Sequence, residues 1–399
     1  MPRLANQPWM LAARRVIAAL ETVRPGCARL VGGCVRNALL GEPVADIDIA
    51  TQLTPDLVEK AARNAGMAVH PTGIEHGTLT VVSDHVPYEI TTLRRDVETD
   101  GRRATVSFTH DWAEDAQRRD FRMNALYADG DGEVYDPTGG GLDDIASRRI
   151  VFVGDAETRI REDYLRILRF FRFQAWYGTA APDPQGLAAC GKLRAGLEGI
   201  SVERIWMETK KLLAAPQPLA ALEAMEAVGV LDQLFVDAKG LKLLSKLVGL
   251  EMDRGIKPDP MLRFLALFWK DAAAIREAAN RLKMSNDERH RLNWPAQDET
   301  PLWGGVTDAE VRAAVYRVGA QTVSDRAMLG WASTGAADWE SVMSIASSWP
   351  RPTLPVTGED LLVRGISEGP GIGAALKRLE TAWIESDFSH GKDALLALL

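Results

Sequence analysis

The chain has 399 residues, a formal net charge of −8, 46% hydrophobic residues and 26% charged ones. That length exceeds one small core and sets an expectation of roughly two or three domains. The acidic balance argues against a general nucleic-acid coating protein, whose affinity rests on neutralising many phosphates, but leaves room for an enzyme with a local basic face. Cys27, Cys34 and Cys190 lack disulfide or metal spacing, which suits a reducing, cytoplasmic setting. No run approaches the ~20 apolar residues that span a bilayer. Near the start, the apolar residues 9–13 are cut by Arg14-Arg15, which reads as an amphipathic first helix rather than a presequence. Neither a membrane nor an obligate protein partner is expected.

In chain order, residues 28–31 read as a short apolar strand turning at Gly32-Gly33 into a helix over 35–40, which stops at Gly41. After Pro43, Asp46-Ile47-Asp48-Ile49 alternates with the period of a strand, so Asp46 and Asp48 share one face and the isoleucines take the other. A glycine turn opening a helix offers free amides and a positive dipole end to phosphate. Two carboxylates beside it can hold Mg²⁺, which usually shares its oxygen ligands with substrate phosphates. Together the two halves suggest nucleotidyl transfer, although each alone is common: Asp-x-Asp marks many solvated strand ends.

Residues 55–66 read as a helix capped by Thr54. Strands are predicted at 77–82 and 86–91, the second carrying Glu89 as a candidate third acid or, equally, as an exposed carboxylate paired with an arginine. The charged stretch 94–107, with Arg94, Asp96, Arg102 and Arg103, lacks periodicity and reads as a mobile loop turning at Asp100-Gly101. Arg36 follows the glycines by one helical turn, where a guanidinium can grip a triphosphate. Arg118 and Arg119 offer further cations, or a solvated basic patch, and Asp120 an acceptor for a sugar hydroxyl. Two short strands, 125–127 and 134–135, close this region.

From residue 155 the pattern is helical. A helix opening at 162–166 places Asp163 and Arg166 three apart, presenting an acceptor beside a donor fork. Cytosine and adenine both set an exocyclic amine next to an acceptor nitrogen, whereas uracil and guanine put a carbonyl where that amine would be. Such a pair can accept CTP and ATP and refuse UTP and GTP, because a mismatched polar edge is left unpaired. Its plain alternative is an intrahelical salt bridge. Helical segments continue beyond Pro216 and Pro218, and Ser285 with Glu288 forms a capping box. The last third ends with Thr357-Gly358 and with Gly369, Gly371 and Gly373, another glycine turn entering a helix.

The decapeptide 32–41 with Asp46-x-Asp48 resembles the first motif of class II tRNA nucleotidyltransferases, the CCA-adding enzymes, and equally that of the bacterial poly(A) polymerases. Residues 89–94 and 96–108 resemble the family's strand and flexible loop. Residues 118–125 are similar to its second motif, with Arg122-Met123 where Thr-Ile is usual. Residues 140–145 resemble the third motif, Glu162-Asp163-x-x-Arg166 the nucleotide-selecting fourth, and Glu203-Arg204-Ile205 the fifth.

This resemblance implies an α+β protein. Its polymerase-β-like nucleotidyltransferase head (1–153), with a small mixed β-sheet, would be followed by an all-α neck (154–215), body (216–294) and tail (295–399). It implies Asp46 and Asp48 as ligands of two Mg²⁺ ions, with Glu89 our candidate third catalytic acid. The nucleotide-binding set expected is Gly32, Gly33, Arg36, Arg118, Arg119, Asp120, Asn124, Asp163, Arg166 and Arg169, the pair Asp163 and Arg166 serving as a protein template for CTP, then ATP. Gly369, Gly371 and Gly373 are expected to meet tRNA phosphates. The implied reaction is attack of the tRNA 3′-hydroxyl on the nucleotide α-phosphate with loss of pyrophosphate. A full-length loop implies that the terminal A is added. A poly(A) polymerase, or an A-adding or CC-adding specialist, shares the motifs; the apolar final residues, without a basic run, favour the tRNA enzyme.

Overall fold

The computed structural model describes residues 3–4, 7–100, 103–179, 181–235, 238–268, 271–297, 305–335, 339–366 and 369–399. The chain divides into two compact units, residues 1–236 and 237–399. Strands are confined to the first among the described residues: β1 (Ala28–Val31), β2 (Asp48–Thr51), β3 (Ala68–Gly73), β4 (Thr78–Ser83), β5 (Val86–Thr92), β6 (Arg94–Asp100), β7 (Arg103–Phe108), β8 (Tyr127–Ala128) and β9 (Val134–Tyr135). Seven of them form a sheet in the order β3-β4-β5-β2-β1-β8-β9. β2 and β5 run parallel while the other pairings are antiparallel, so the sheet is mixed, as expected.

The alternation in β4 and β5 decides which face is core. Leu79, Val81, Tyr88 and Ile90 are buried, against the helices Pro8–Glu21 and Pro55–Asn64 that pack on these strands. Thr80 and Glu89 occupy the alternate positions, on the opposite face. That second face is where the acids emerge.

Three local expectations change. The stretch 94–107 is not a loop: β6 and β7 pair as an antiparallel ribbon, from Arg94 opposite Phe108 to Asp100 opposite Arg103, with a register shift between Asp96 and Glu98. Arg102 lies outside the described residues. A ribbon standing apart from the main sheet has no need of an apolar stripe, so its sequence shows no period of two. β3 was not foreseen because Pro71 interrupts it; β3 is an edge strand, where a missing N–H is tolerated. The strand expected from residue 46 begins at Asp48, although Glu89 N already donates to Ile47 O at 3.3 Å.

Behind the sheet, the helices Ala156–Glu162, Leu165–Tyr177, Pro184–Leu193 and Val202–Leu213 continue the first unit, which extends to Leu219–Ala227 and Val230–Leu234. Phe121 joins them to the sheet region, its ring 4.9 Å from those of Phe152 and Phe173.

The second unit is helical throughout its described residues, from Leu241–Arg254 to Lys392–Leu396. Arg263, fully buried, donates to Glu251 at 2.8 and 2.6 Å. Ser285 and Glu288 exchange the capping-box hydrogen bonds read from the sequence. Around Trp383, Leu361, Leu379, Tyr316 and Phe388 form a separate apolar cluster.

Candidate active site

β1 is followed by Gly32, whose φ of 71° and ψ of −122° suit glycine and aim the chain into the helix Gly33–Leu40. β2 lies beside β1 and brings Asp48 directly opposite Glu89 of β5. Asp48 is half-buried; Asp46 and Glu89 are exposed. Burial first, then the Glu89 carboxylate, push Asp48 up to about 6; Asp46 adds to the rise, while Arg119 and Arg36 oppose it. Among the described residues, Glu89 has no arginine at ion-pair distance, so the surface-pair alternative finds no partner there.

The carboxylates of Asp46, Asp48 and Glu89 offer the hard oxygen donors a divalent cation takes, with Arg119 and Arg36 acting on Asp48 from the other direction. Among the described residues no three acidic, thiol or imidazole groups are gathered closely enough for a complete metal cage. An ion held by these carboxylates would take its remaining oxygens from water or a phosphate-bearing substrate.

Arg36 sits deeper than a surface grip would. It is 7% exposed and donates to Asn124 Oδ1 (2.6 Å), Asn37 Oδ1 (3.0 and 2.8 Å) and Tyr177 OH (2.9 Å). Its guanidinium also lies 4.3 Å from the Tyr177 ring centre, fastening the glycine helix to Leu165–Tyr177.

Arg118 and Arg119 are not a solvated patch. Both converge on Asp115, at 2.7 and 3.1 Å, and Tyr127 OH donates to the same carboxylate at 2.7 Å. The backbone N–H of Arg94, first residue of β6, reaches it at 3.3 Å. Asp115 is 1% exposed; burial would raise its pKa, but the charges of Arg119 and Arg118 overcome that and hold it at about 2. The sequence reading missed this residue because an acid beside Glu114 in the first turn of a short helix, Trp112–Gln117, reads as an ordinary helix start.

Asp120 accepts from Phe121 N (2.9 Å), Asn124 Nδ2 (3.0 Å) and Arg169 Nε (2.8 Å). Burial opposes its ionisation, yet Arg169 and Asn124 bring it down to about 2. Asn124 thus bridges Arg36 and Asp120, and Arg169 reaches on towards Glu208 at 3.8 Å.

The pair Asp163 and Arg166 requires a correction. They do not share one helix: Ala156–Glu162 ends, Asp163 takes an extended conformation (φ −155°, ψ 104°), and the next helix starts at Leu165. Nor do they form the plain intrahelical salt bridge. Asp163 accepts from Arg204 Nη2 at 2.6 Å, which gives the fifth motif a contact that spacing did not reveal. Arg166 donates to Glu162 at 2.5 Å, to Arg159 O at 2.7 Å and to Arg118 O at 3.2 Å. Each member is clamped by its own partner, and the last bond ties the start of the helix Leu165–Tyr177 to the segment carrying Arg118 and Arg119.

Arg122, where Thr is usual in the resembled family, makes a two-pronged pair with Asp144 at 2.7 and 2.8 Å, and Met123 is fully buried. A Cβ at Gly141 would lie 2.6 Å from Arg122 O, so the third motif needs glycine there. In the second unit, Gly369 has a φ of 100° and precedes the helix Pro370–Glu385, with Gly371 and Gly373 exposed in its first turn.

Comparison with known proteins agrees with this constellation. Residues 28–151 match the Poly A polymerase head domain, and residues 181–241 match a probable RNA and SrmB- binding site of polymerase A. The chain is 34% identical over 390 residues to the mitochondrial CCA tRNA nucleotidyltransferase 1 of Danio rerio, covering 93% of this chain and 86% of the relative. It is 33% identical over 396 residues to the CCA-adding enzyme of Streptococcus pneumoniae, covering 97% of this chain and 96% of the relative. The solved CCA-adding enzyme of Bacillus stearothermophilus in complex with CTP superposes with a TM-score of 0.78 at 30% identity, over 96% of this chain and 94% of that one. With matches of this extent, and a mixed-sheet head carrying paired acids beside a glycine turn, the chain belongs to the CCA-adding family of tRNA nucleotidyltransferases.

Proposed function

We propose that the protein adds C, C and A to the 3′ end of tRNA from CTP and ATP, without a nucleic-acid template and with release of pyrophosphate. The observation that carries this reading is that Asp48 and Glu89 stand opposite each other on β2 and β5, while Arg119 and Arg36, lying against Gly32 and Gly33, act on Asp48. Arg166, in the segment we assign to nucleotide selection, donates to Arg118 O at 3.2 Å. Names and contents of relatives support it: the Bacillus stearothermophilus enzyme was solved with CTP.

The family points to a divalent cation; we assign two Mg²⁺ ions held by Asp46 and Asp48, which would lower the pKa of the attacking hydroxyl and neutralise charge on the triphosphate. The chain's own residues do the rest. The amides of the turn at Gly32 and Gly33 receive phosphate oxygens at the head of the helix. Arg118 and Arg119, held rigid by Asp115, supply fixed positive charge beside them. Glu89 stands directly across from Asp48 as the third acid of the site. Arg36, Asn124 and Asp120 are the frame that fixes the glycine helix against the segment 120–124 and the helix Leu165–Tyr177. Asp163 and Arg166 read the base edge, with Arg204 and Glu162 fixing their rotamers.

In this reading residues 1–153 are the head, 154–215 the neck, 216–294 the body and 295–399 the tail, whose glycine turn at Gly369 meets tRNA phosphates. The compartment is the cytoplasm, where three buried thiols remain reduced. The direct check is Arg166→Ala, assayed for initial rates with CTP, ATP, UTP and GTP. We expect preference for CTP and ATP to fall by about 10²-fold or more, since a site built on hydrogen bonds discriminates by leaving wrong partners unpaired. Unchanged preference would remove the selecting role from this pair.

A further inference from the structure

A cavity of about 320 Å³ lies between the helix Pro8–Glu21, β1, β9 and the turn 129–131, and Asp46, Asp48 and Glu89 do not line it. Its volume is at the lower end of small-molecule sites. Arg29, half-buried on β1, is its distinctive group. The guanidinium lies 3.9 Å from the Tyr135 ring centre and 4.4 Å from one ring centre of Trp112. Among the described residues it makes no hydrogen bond and no ion pair. Aromatic rings hold a guanidinium in place but give it no acceptor, so its fork of N–H donors is left unspent. Burial lowers its pKa, a desolvation cost that an acceptor in the cavity would offset.

The acids around it are occupied to different degrees. Asp129 Oδ1 accepts from Asp131 N and Glu133 N, both at 2.9 Å, and Oδ2 accepts from Tyr135 OH at 3.0 Å. Arg14 donates to Gly130 O and stands 3.9 Å from Asp131. Glu21 is half-buried; burial raises its pKa, the Gly26 backbone opposes this, and Asp129 and Asp131 add to the rise. Glu21 and Arg29 both line the cavity, yet no ion pair joins them among the described residues. With Arg14 set against Asp131, the lining keeps Arg29 against Glu21 and Asp129, a small acidic surplus.

We propose that this cavity binds a small basic zwitterion of the free diamino-acid class, its carboxylate on the Arg29 fork and its α-ammonium on Glu21. A planar carboxylate matches a guanidinium with two parallel hydrogen bonds. A plain anion would meet Glu21 and Asp129 unpaired, and a plain cation would leave Arg29 without an acceptor. A ligand carrying both groups satisfies the two, and its second ammonium answers the acidic surplus. The site stands apart from the nucleotidyltransferase reading and does not depend on it.

The test titrates the full chain with L-lysine at pH 7 in a calorimeter, beside cadaverine, which lacks the carboxylate, and inorganic phosphate. The wild type should bind one L-lysine with a Kd below about 1 mM, and the other two at least about tenfold more weakly. Glu21→Gln and Arg29→Met should each weaken L-lysine binding about tenfold or more, and Arg29→Lys, which keeps the charge and loses the fork, should weaken it as well. C addition to tRNA should stay within twofold in all three variants, which also reports that they are folded. Should Arg29→Met fail to fold, Glu21→Gln and Arg29→Lys carry the test. No binding of L-lysine by active wild-type protein would overturn the site. So would cadaverine or phosphate binding as tightly as L-lysine, or affinity unchanged in Glu21→Gln and Arg29→Lys.

Discussion

At the scale of single residues, buried carboxylates organise the site more than the exposed ones do. Asp115 and Asp120 each collect donors from separate elements, and each has a folded pKa of about 2 against an ordinary 3.8. A group whose pKa is depressed on folding contributes stability that is complete above its unfolded value and is lost as pH falls through the folded one. The window here runs from about pH 4 down to about pH 2, and each residue is worth about 2 kcal/mol at neutral pH. Asp115→Asn should therefore lower the melting temperature at pH 7 and flatten its decline on acidification, measured by thermal unfolding at pH 7, 4 and 3. A variant that declines as steeply as the wild type would mean that Asp115 is not the acid-sensitive link. None of this was legible beforehand: the sequence offers Arg118 and Arg119 as cations, but which acid restrains them depends on how the chain folds back. Asp48 and the glycine turn were legible, because a strand of period two and a helix start place them without reference to distant residues, whereas Asp46 falls ahead of the strand expected to carry it.

At the scale of elements, legibility follows burial. β4 and β5 alternate because one face of each is core, and both were located from the sequence within a residue or so. β6 and β7 were not, because a ribbon outside the core is free to be charged on both faces. The break at Asp163 was equally hidden: residues 162–166 contain neither glycine nor proline, and the helix is interrupted by the cap that Asp163 gives to Leu165 N at 3.1 Å. The interruption matters, since it frees Asp163 to meet Arg204 while Arg166 faces Glu162. The ribbon is rooted on the same Asp115 that holds the two arginines, so its position is coupled to theirs. Replacing residues 96–106 by a short Gly-Ser linker should leave C addition largely intact and reduce A addition at least tenfold. Product lengths on a sequencing gel would show it; a linker variant that completes CCA at the wild-type rate would exclude a role for the ribbon in switching nucleotides.

At the scale of the whole molecule, the acids, the arginines and the base-reading segment all lie in the unit of residues 1–236, while the glycine turn at Gly369 belongs to the unit of residues 237–399. Our reading assigns chemistry and choice of base to the first unit and the holding of the tRNA to the second. The central claim is that this chemistry stops by itself after three nucleotides. It is tested by incubating the protein with tRNAs ending before the first C, after C and after CC, each with CTP, ATP and both together, beside an unrelated RNA. The account predicts CTP addition to the first two, a single A on the CC end, and a product that halts at CCA, with the unrelated RNA untouched. Long A-tails on the unrelated RNA would contradict it and make the protein a poly(A) polymerase.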